Sequence, residues 1–235
     1  AYDIVINGLR RLEYRGYDSA GIVLEDKNNS FEVKKTKGKV SDLVEISENL
    51  KATSHVGMGH TRWATHGVPS DRNSHPHVSN DGKIALVHNG IIENYDTIKT
   101  MLIGKGFTFS SETDTEVLVN LIQYILDTQK INFSEAVRYA LNEVYGAYAI
   151  TVMHKDYPGV LVVGRLGSPL AIGLGDKEYF IASDASPFVE FTKEAVYLED
   201  GHMATISLEK GVEIRSIKEN EKIEPAIQEL KLSLE

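Results

Sequence analysis

Residues 59–67 read GHTRWATHG. The stretch holds Trp63, the only tryptophan of the sequence, with Arg62 directly before it and Thr65 and His66 directly after Ala64. Cationic and polar side chains at this density are too polar for a core, where arginine is almost never fully buried unless it is paired. Ordinary turns instead favour glycine, proline, asparagine, aspartate and serine. GHTRWATHG is therefore a candidate functional loop.

Composition narrows the class of protein around this loop. The chain has 235 residues, of which 42% are hydrophobic and 25% charged, which is the ordinary amino-acid composition of globular proteins. A chain of this length can bury a hydrophobic core without disulfides or structural metals. A net charge of −9 argues against a nucleic-acid partner, which usually meets a basic face. The sequence shows neither an apolar stretch of membrane-spanning length nor a signal peptide, so we expect a cytoplasmic protein with no membrane partner.

Hydrophobic spacing predicts blocks of helices and blocks of short strands. Five segments show the helical period, and Ser41 is the candidate N-cap of the second of these segments. Alternating or short apolar runs bounded by turn residues predict the strands. The predicted helices cover 1–14, 40–50, 93–106, 111–129 and 133–144, and the predicted strands cover 20–24, 31–38, 55–62, 83–90, 147–155, 159–167, 169–176, 179–184, 195–208 and 212–217.

This order of elements predicts an α+β fold in which two sheets pack together with helices outside them. In the first helix the predicted inward positions are Ile4, Val5, Leu9 and Leu12. We place one domain over residues 1–217 and interpret 218–235 as a charged, helical tail that leaves it.

The histidines are concentrated near the candidate loop. Six of the eight lie between His55 and His88, including the HPH motif at 75–77. The sequence contains no HExxH motif and no cysteine, and the nearest acidic residues fall in other predicted elements. We therefore favour a structural or substrate-contacting role over metal binding.

The segment HNGIIEN (88–94) carries a second candidate feature. Its Asn89 and Gly90 come just past a predicted strand, where a side-chain amide and a backbone N–H can point the same way. Such a pair can stabilise a developing oxyanion, and one such donor is worth roughly 3–4 kcal/mol in a transition state. The alternative is an Asn-Gly hairpin turn, which this dipeptide alone favours.

The segment SETDTEV (111–117) places acidic residues at the start of a predicted helix, where the helix dipole stabilises them without any function. If Asp114 faces a pocket, however, it can pair with a substrate ammonium group. Arg62 can make the matching bidentate contact with a carboxylate. An anion and a cation on opposite walls would suit a zwitterionic amino acid.

Five blocks together resemble the glutaminase domain of the glutamine–fructose-6-phosphate aminotransferases, which are class II glutamine amidotransferases. The resemblance covers essentially the whole chain, and YRGYDSAG with HTRWATHG is its most specific part. Other class II amidotransferases share the fold with different versions of these blocks. The blocks are LRRLEYRGYDSAG (9–21), GHTRWATHG (59–67), HPH (75–77), HNGIIEN (88–94) and SETDTE (111–116).

The resemblance implies a fold and a reaction. The fold is the N-terminal nucleophile hydrolase sandwich, a four-layer αββα arrangement with two antiparallel sheets. The nucleophile is the thiol of an N-terminal cysteine that begins a Cys-Gly-Ile-Val-Gly strand, and its free amino group serves as the base. Attack on the glutamine side-chain amide gives a thioester and ammonia, and water then releases glutamate.

The resemblance also implies roles for individual residues. Two groups handle the reacting amide, five hold the amino-acid substrate, and one supports the end of the nucleophile strand. Asn89 and Gly90 form the oxyanion hole; Arg62 grips the α-carboxylate beside Thr65 and His66, Asp114 pairs with the α-amino group, Trp63 is a mobile lid that gates ammonia, and Arg15 buttresses the nucleophile.

The sequence departs from this family at one essential point, because it contains no cysteine. Ala1 opens the helix that should follow the nucleophile strand, so we expect about ten residues to precede it in the natural protein. The 235 residues alone would then be inactive. The alternatives are a noncatalytic glutamine- or glutamate-binding module, or a domain from another amidotransferase.

Further expectations follow from the resemblance. Acyl transfer from an amide needs no prosthetic group and no metal, so we expect no cofactor. The expected partners are glutamine or glutamate and a sugar-phosphate isomerase domain of the same parent chain, which would be a homo-oligomer.

Overall fold

A computed structural model describes residues 1–50 and 54–231. Five α-helices form within these residues, close to the predicted segments. Thr113 caps the fourth helix by accepting a hydrogen bond from the backbone N–H of Glu116, and Asn132 caps the fifth in the same way through Glu135. The helices are α1 Tyr2–Leu12, α2 Val40–Ser47, α3 Tyr95–Gly104, α4 Asp114–Thr128 and α5 Phe133–Glu143.

Fourteen strands form within the same residues, and their ladders are antiparallel. The first twelve fall in or near the predicted strand segments, apart from β4 at His77. The strands are β1 Ser19–Glu25, β2 Phe31–Lys37, β3 Val56–Arg62, β4 His77–Val78, β5 Ile84–Ile92, β6 Gly146–His154, β7 Leu161–Leu166, β8 Ala171–Leu174, β9 Tyr179–Ala182, β10 Glu194–Tyr197, β11 His202–Ser207, β12 Gly211–Ser216, β13 Lys222–Ile223 and β14 Gln228–Glu229.

The strands form three hydrogen-bonded sheets, where the sequence predicted two. The orders are β2-β1-β3, β14-β10-β8-β9 and β13-β12-β11-β7-β6-β5-β4. Both smaller sheets pack on the same face of the seven-stranded sheet. Met58 of β3 joins Ala85 and Val87 of β5 in one core cluster, whereas Ile172 of β8 joins Val163 of β7 in another.

The opposite face of the seven-stranded sheet carries α3, α4 and α5. Alternate residues of β5, Ile84 and Leu86, pack against Leu118 and Ile122 of α4, as the two-residue period of a strand requires. On the far side of β1, α1 and α2 cover Ile22 and its neighbours. The predicted α+β class and the four-layer αββα sandwich are therefore confirmed, with one of the two β layers divided into two sheets.

Two local predictions about α1 and α2 need correction. In α1 the most deeply buried apolar residues are Tyr2, Ile6 and Leu9, while Ile4 and Val5 are only half-buried. The helix contacts both small sheets, so it has two inward faces; Ile4 packs towards the β8–β9 sheet. The N-cap of α2 is Lys39, because the Asp42 carboxylate accepts its backbone N–H at 2.7 Å.

The predicted tail helix is not observed in the described residues beyond Ile217. Instead β13 pairs with β12, and β14 pairs with β10. These strands have two residues each, which is too short for an alternating pattern to be visible in the sequence. The chain therefore extends two sheets after residue 217 at least as far as Glu229.

A gap separates the two small sheets within their layer. In the described structure β3 pairs only with β1, and β9 pairs only with β8. The free edges of β3 and β9 contribute residues to one cavity, which α1 covers from outside and the seven-stranded sheet closes from below. We call this gap the β3–β9 cleft.

Candidate active site

The predicted site residues meet at the β3–β9 cleft. Its cavity has a volume of about 1810 Å³, which exceeds the roughly 300–1,000 Å³ of a typical ligand pocket. All eight residues that the sequence singled out line this cavity. They are Arg15, Arg62, Trp63, Thr65, His66, Asn89, Gly90 and Asp114.

Arg62 is a buried cation at the end of β3, with only 3% of its surface exposed. Its Nη2 donates to the carbonyl oxygens of His66 and Gly67, the latter at 3.2 Å, so the guanidinium closes the loop behind it. Its Nη1 has no hydrogen-bond partner among the described residues. Because a buried donor without a partner is costly, Nη1 is a candidate contact for a ligand anion.

Asp18 is a site residue that the sequence reasoning missed. It lies in the YRGYDSAG block, and its carboxylate accepts the backbone N–H of Ala64, which fixes the middle of the loop. Its Oδ1 lies 3.9 Å from Nη1 of Arg62. The block carried a signal for it, since an aspartate between a turn and a buried strand is well placed to bind a neighbouring backbone.

Asp114 lies in the first turn of α4 and is also only 3% exposed. Its Oδ2 accepts the backbone N–H of Ile92 at 2.8 Å, which ties the end of β5 to the start of α4. Oδ1 receives no hydrogen bond from the described residues; His66 Nδ1 lies 3.8 Å from it. The carboxylate therefore keeps one acceptor oxygen for a cationic ligand group.

Asn89 and Gly90 lie inside β5, within the predicted strand over 83–90, and neither a position just past that strand nor a hairpin turn is correct. They pair with Ala149 and Tyr148 of β6. Gly90 has a φ of +123°, and a Cβ on it would overlap the carbonyl of Ala147. A positive φ is common in turns, but at Gly90 it occurs within a continuous strand.

Asn89 is exposed to the cavity but held at one end of its amide. The distance from its Oδ1 to Nε2 of His60 is 2.8 Å. If Oδ1 is the bound end, the Nδ2 group is left as a donor on the cavity side. The site therefore contains a guanidinium, a carboxylate and an amide donor around one space.

Trp63 and Arg15 occupy the rim of the cavity. Trp63 is 70% exposed, and its ring lies against Gly16, where a Cβ would come within 2.8 Å of it. Arg15 donates to Ser183 at 2.7 Å and forms an ion pair with Asp184. Because Ser183 directly follows β9, Arg15 connects the segment after α1 to the end of that strand.

Four buried histidines form a cluster next to Asn89, and His60, His75 and His88 of this cluster line the cavity. The rings of His60 and His75 stack at 4.1 Å, and His77 meets His75 edge-on at 5.0 Å. His88 Nδ1 lies 3.0 Å from the Thr115 hydroxyl, in hydrogen-bond contact. Burial lowers the pKa of all four, to about 4 for His60.

Each of these histidines is within hydrogen-bond distance of another protein group. Within the described residues, no three histidine, aspartate or glutamate side chains converge as a metal site requires. None of the helices in that part of the chain has the length and apolar character of a bilayer span.

Comparisons with known proteins show the family of this chain. The glutamine amidotransferase domain family matches residues 20–231. The chain belongs to this family. Solved structures with the same fold include the glutamine phosphoribosylpyrophosphate amidotransferase of B. subtilis, with a TM-score of 0.78 and 28% identity, covering 93% of this chain and 47% of that one.

Curated relatives of this amidotransferase domain are closer in sequence. The glutamine–fructose-6-phosphate aminotransferase of Bacteroides thetaiotaomicron is 49% identical over 234 residues, and that of Chlorobaculum tepidum is 50% identical over 239. Each alignment covers 100% of this chain and 38% of the relative. The chain therefore spans little more than a third of the length of these relatives.

Proposed function

We propose that this amidotransferase domain hydrolyses the side-chain amide of glutamine to glutamate and ammonia. The observation that carries the proposal is the convergence of Arg62, Asp114 and Asn89 on one cavity. The α-carboxylate of glutamine would bind the unpartnered Nη1 of Arg62, and its α-ammonium would bind Oδ1 of Asp114. Its amide would then lie towards Asn89, beside a donor suited to an oxyanion.

The reaction needs a nucleophile that the 235 residues do not contain, since none of them is cysteine. We propose that a strand carrying the thiol binds in the β3–β9 cleft. Two free strand edges can accept an extended segment through backbone hydrogen bonds. The volume of about 1810 Å³ supports this proposal, because it leaves room for a strand beside an amino acid. By themselves, the 235 residues should release no glutamate.

In the proposed reaction the thiol sulfur attacks the amide carbon while its proton passes to the base, and the carbonyl oxygen becomes an oxyanion. The C–N bond then breaks, ammonia leaves with a proton from the base, and a thioester remains. Water cleaves the thioester to glutamate and restores the thiol. Asn89 Nδ2 and the Gly90 backbone N–H would stabilise both tetrahedral oxyanions.

We propose further that the ammonia serves a second domain of the parent chain. The curated relatives are named glutamine–fructose-6-phosphate aminotransferase, and this chain spans 38% of their length. On this proposal a sugar-phosphate isomerase domain of the parent chain uses the ammonia to convert fructose 6-phosphate to glucosamine 6-phosphate in a cytoplasmic homo-oligomer. Trp63 would cover the substrate and gate ammonia, with Thr65 and His66 beside it.

The test is to supply the strand. The sequence Cys-Gly-Ile-Val-Gly and a connection of about five residues are fused before Ala1, with the cysteine as the first residue. We expect the fusion to release glutamate and ammonia in equal amounts from glutamine, whereas the same fusion beginning with serine releases neither. In the parent chain, added fructose 6-phosphate should convert the ammonia to glucosamine 6-phosphate.

A noncatalytic amino-acid sensor is the second candidate, favoured by the cysteine-free sequence. It predicts that the folded fusion binds glutamine but leaves it intact. That result, with a cooperative thermal transition as evidence of folding, would overturn the enzymatic proposal.

A further inference from the structure

The side chain that holds Asn89 is not among the eight residues to which the sequence assigned a role in the site. His60 lies in the middle of β3, opposite Gly21 of β1, and reaches across to β5. Its Nε2 is 2.8 Å from Oδ1 of Asn89. A side-chain amide can turn about its last bond, so an oxyanion hole built on asparagine needs a partner that decides which end faces the substrate.

The other ring nitrogen of His60 indicates where its proton lies. Nδ1 is buried and makes no hydrogen bond with the described residues. A buried N–H without an acceptor is rarer and more costly than a bare acceptor without a donor. The neutral ring should therefore carry its proton on Nε2, donate to Oδ1 of Asn89 and leave Nδ2 facing the cavity.

The surroundings of His60 hold its ring in one orientation and one charge state. His75 stacks on it at 4.1 Å with an angle of 13° between the ring planes. His75 is itself fixed, because its Nδ1 accepts the backbone N–H of His88 at 3.2 Å. Burial lowers the pKa of His60 to about 4, so the ring is neutral at neutral pH.

We propose that His60 is a positioning residue for the amide chemistry: its Nε2–H fixes the Asn89 side chain with Nδ2 aimed at the oxyanion. The inference rests on the proposed function, because it assigns Asn89 to the oxyanion hole. It adds that the hole is oriented from the β3 side. His60 lines the cavity, but in this arrangement it acts on the oxyanion through Asn89.

The first test needs no catalysis. Two-bond ¹H–¹⁵N spectra of the ¹⁵N-labelled 235-residue chain at pH 7.5 distinguish the two neutral tautomers of His60. We expect the proton on Nε2. A proton on Nδ1 would overturn the inference, because Nε2 would then accept from the amide nitrogen and turn Oδ1 towards the cavity.

The second test uses kinetics of the cysteine-bearing fusion. Loss of one oxyanion donor costs about 10²- to 10³-fold in kcat, and we expect that loss for Asn89→Ala. His60→Phe should lower kcat at least about tenfold with KM changed less than about threefold. His60→Gln retains an N–H donor and should recover most of kcat. The double variant His60→Phe/Asn89→Ala should be no slower than Asn89→Ala alone, because both changes remove the same interaction.

A matched control separates positioning from general damage to the core. His154→Gln alters another buried histidine whose own side chain does not line the cavity, although the rings of its neighbours Phe133 and Tyr157, each 5.3 Å away, do. It should leave both kcat and KM within about twofold. If His60→Phe does not fold, His60→Gln and the tautomer measurement still decide the matter.

Binding of L-glutamate γ-semialdehyde provides a readout of the oxyanion site itself. The thiol adds to the aldehyde, and the resulting oxygen occupies the oxyanion position. His60→Phe should weaken this compound at least about tenfold while glutamate affinity stays within about threefold. Equal losses for both ligands, or additive losses in the double variant, would refute the positioning role. Absence of glutaminase activity in the unmutated fusion would instead refute the proposed function.

Discussion

The contact between Arg62 and a ligand α-carboxylate can be tested in the 235-residue chain itself. Without a cysteine, glutamine should bind without being consumed, so its affinity can be measured by calorimetry. The appropriate comparison ligand is 4-aminobutanamide, which is glutamine without its α-carboxylate. The substitution Arg62→Ala and this ligand form a double-perturbation cycle in which effects unrelated to the carboxylate cancel.

The structure sets the size of the expected coupling. Nη2 of Arg62 is already committed to the carbonyls of His66 and Gly67, whereas Nη1 has no partner among the described residues. One charge-assisted hydrogen bond contributes about 1.5–3 kcal/mol, and Asp18 at 3.9 Å partly offsets the cation. We expect a coupling of about 2–3 kcal/mol, which is a loss of about 30- to 150-fold for glutamine beyond any loss for 4-aminobutanamide.

The cycle distinguishes ligand contact from loop closure. If Arg62 only holds the carbonyls of the loop, Arg62→Ala weakens both ligands equally and the coupling is near zero. That result would refute the assignment of the pocket. Arg72→Ala is a suitable control, because Arg72 forms an exposed ion pair with Glu112 and does not line the cavity. The same titrations with the serine-bearing fusion report whether the strand changes the coupling.

Three further predictions concern the carboxylate, the pH dependence and the bent strand. Asp114→Asn should weaken glutamine at least about tenfold relative to 4-carbamoylbutanoate, which lacks the α-amino group, as measured by calorimetry. The free energy of unfolding should fall between pH 6.5 and 4, because the pKa of buried His60 drops to about 4 and the unfolded chain therefore takes up the proton first. The loss of unfolding free energy that comes from His60 approaches about 3 kcal/mol. In the His60→Phe variant, the unfolding free energy measured with urea should therefore fall less steeply as the pH is lowered. Gly90→Ala should destabilise the fold by about 2 kcal/mol or more through overlap with the Ala147 carbonyl, whereas Gly82→Ala meets no atom within 4 Å and should cost less in the same assay.

The features that the sequence predicted well depend on the chemistry of individual residues and short segments. The apolar period and the acidic residues of its first turn predict helix α4, and in the structure Thr113 caps it. The convergence of Arg62 and Asp114 on one cavity also followed from chemistry, since a cation and an anion pointed to one zwitterionic ligand. The five sequence blocks, two of which contain these residues, then indicated the family of the chain.

The features that the sequence did not predict depend on partners distant in the chain. The Asn-Gly dipeptide at 89–90 suggests a turn locally, yet pairing with β6 continues the strand beyond it to Ile92. The role of His60 depends on a side chain 29 positions away. The short strands after Ile217 contain two residues each and exist because β12 and β10 offer free edges.

The two buried ions of the cavity, Arg62 and Asp114, each keep one polar atom without a hydrogen bond from the described residues. Asp114 lies 3.9 Å from Nδ1 of His88, which would be a natural counter-ion if it were protonated. Burial lowers the pKa of His88 by more than the attraction of Asp114 raises it. His88 is therefore neutral at neutral pH and does not offset the charge of the Asp114 carboxylate. Arg62 likewise keeps Nη1 without a hydrogen bond among the described residues. Because a buried charge that is only partly paired is costly, both ions would gain most from a ligand that satisfies them together. On the proposed function a zwitterionic amino acid would do so, and the site should then discriminate against ligands that lack either charge more strongly than against changes in the uncharged part of the ligand.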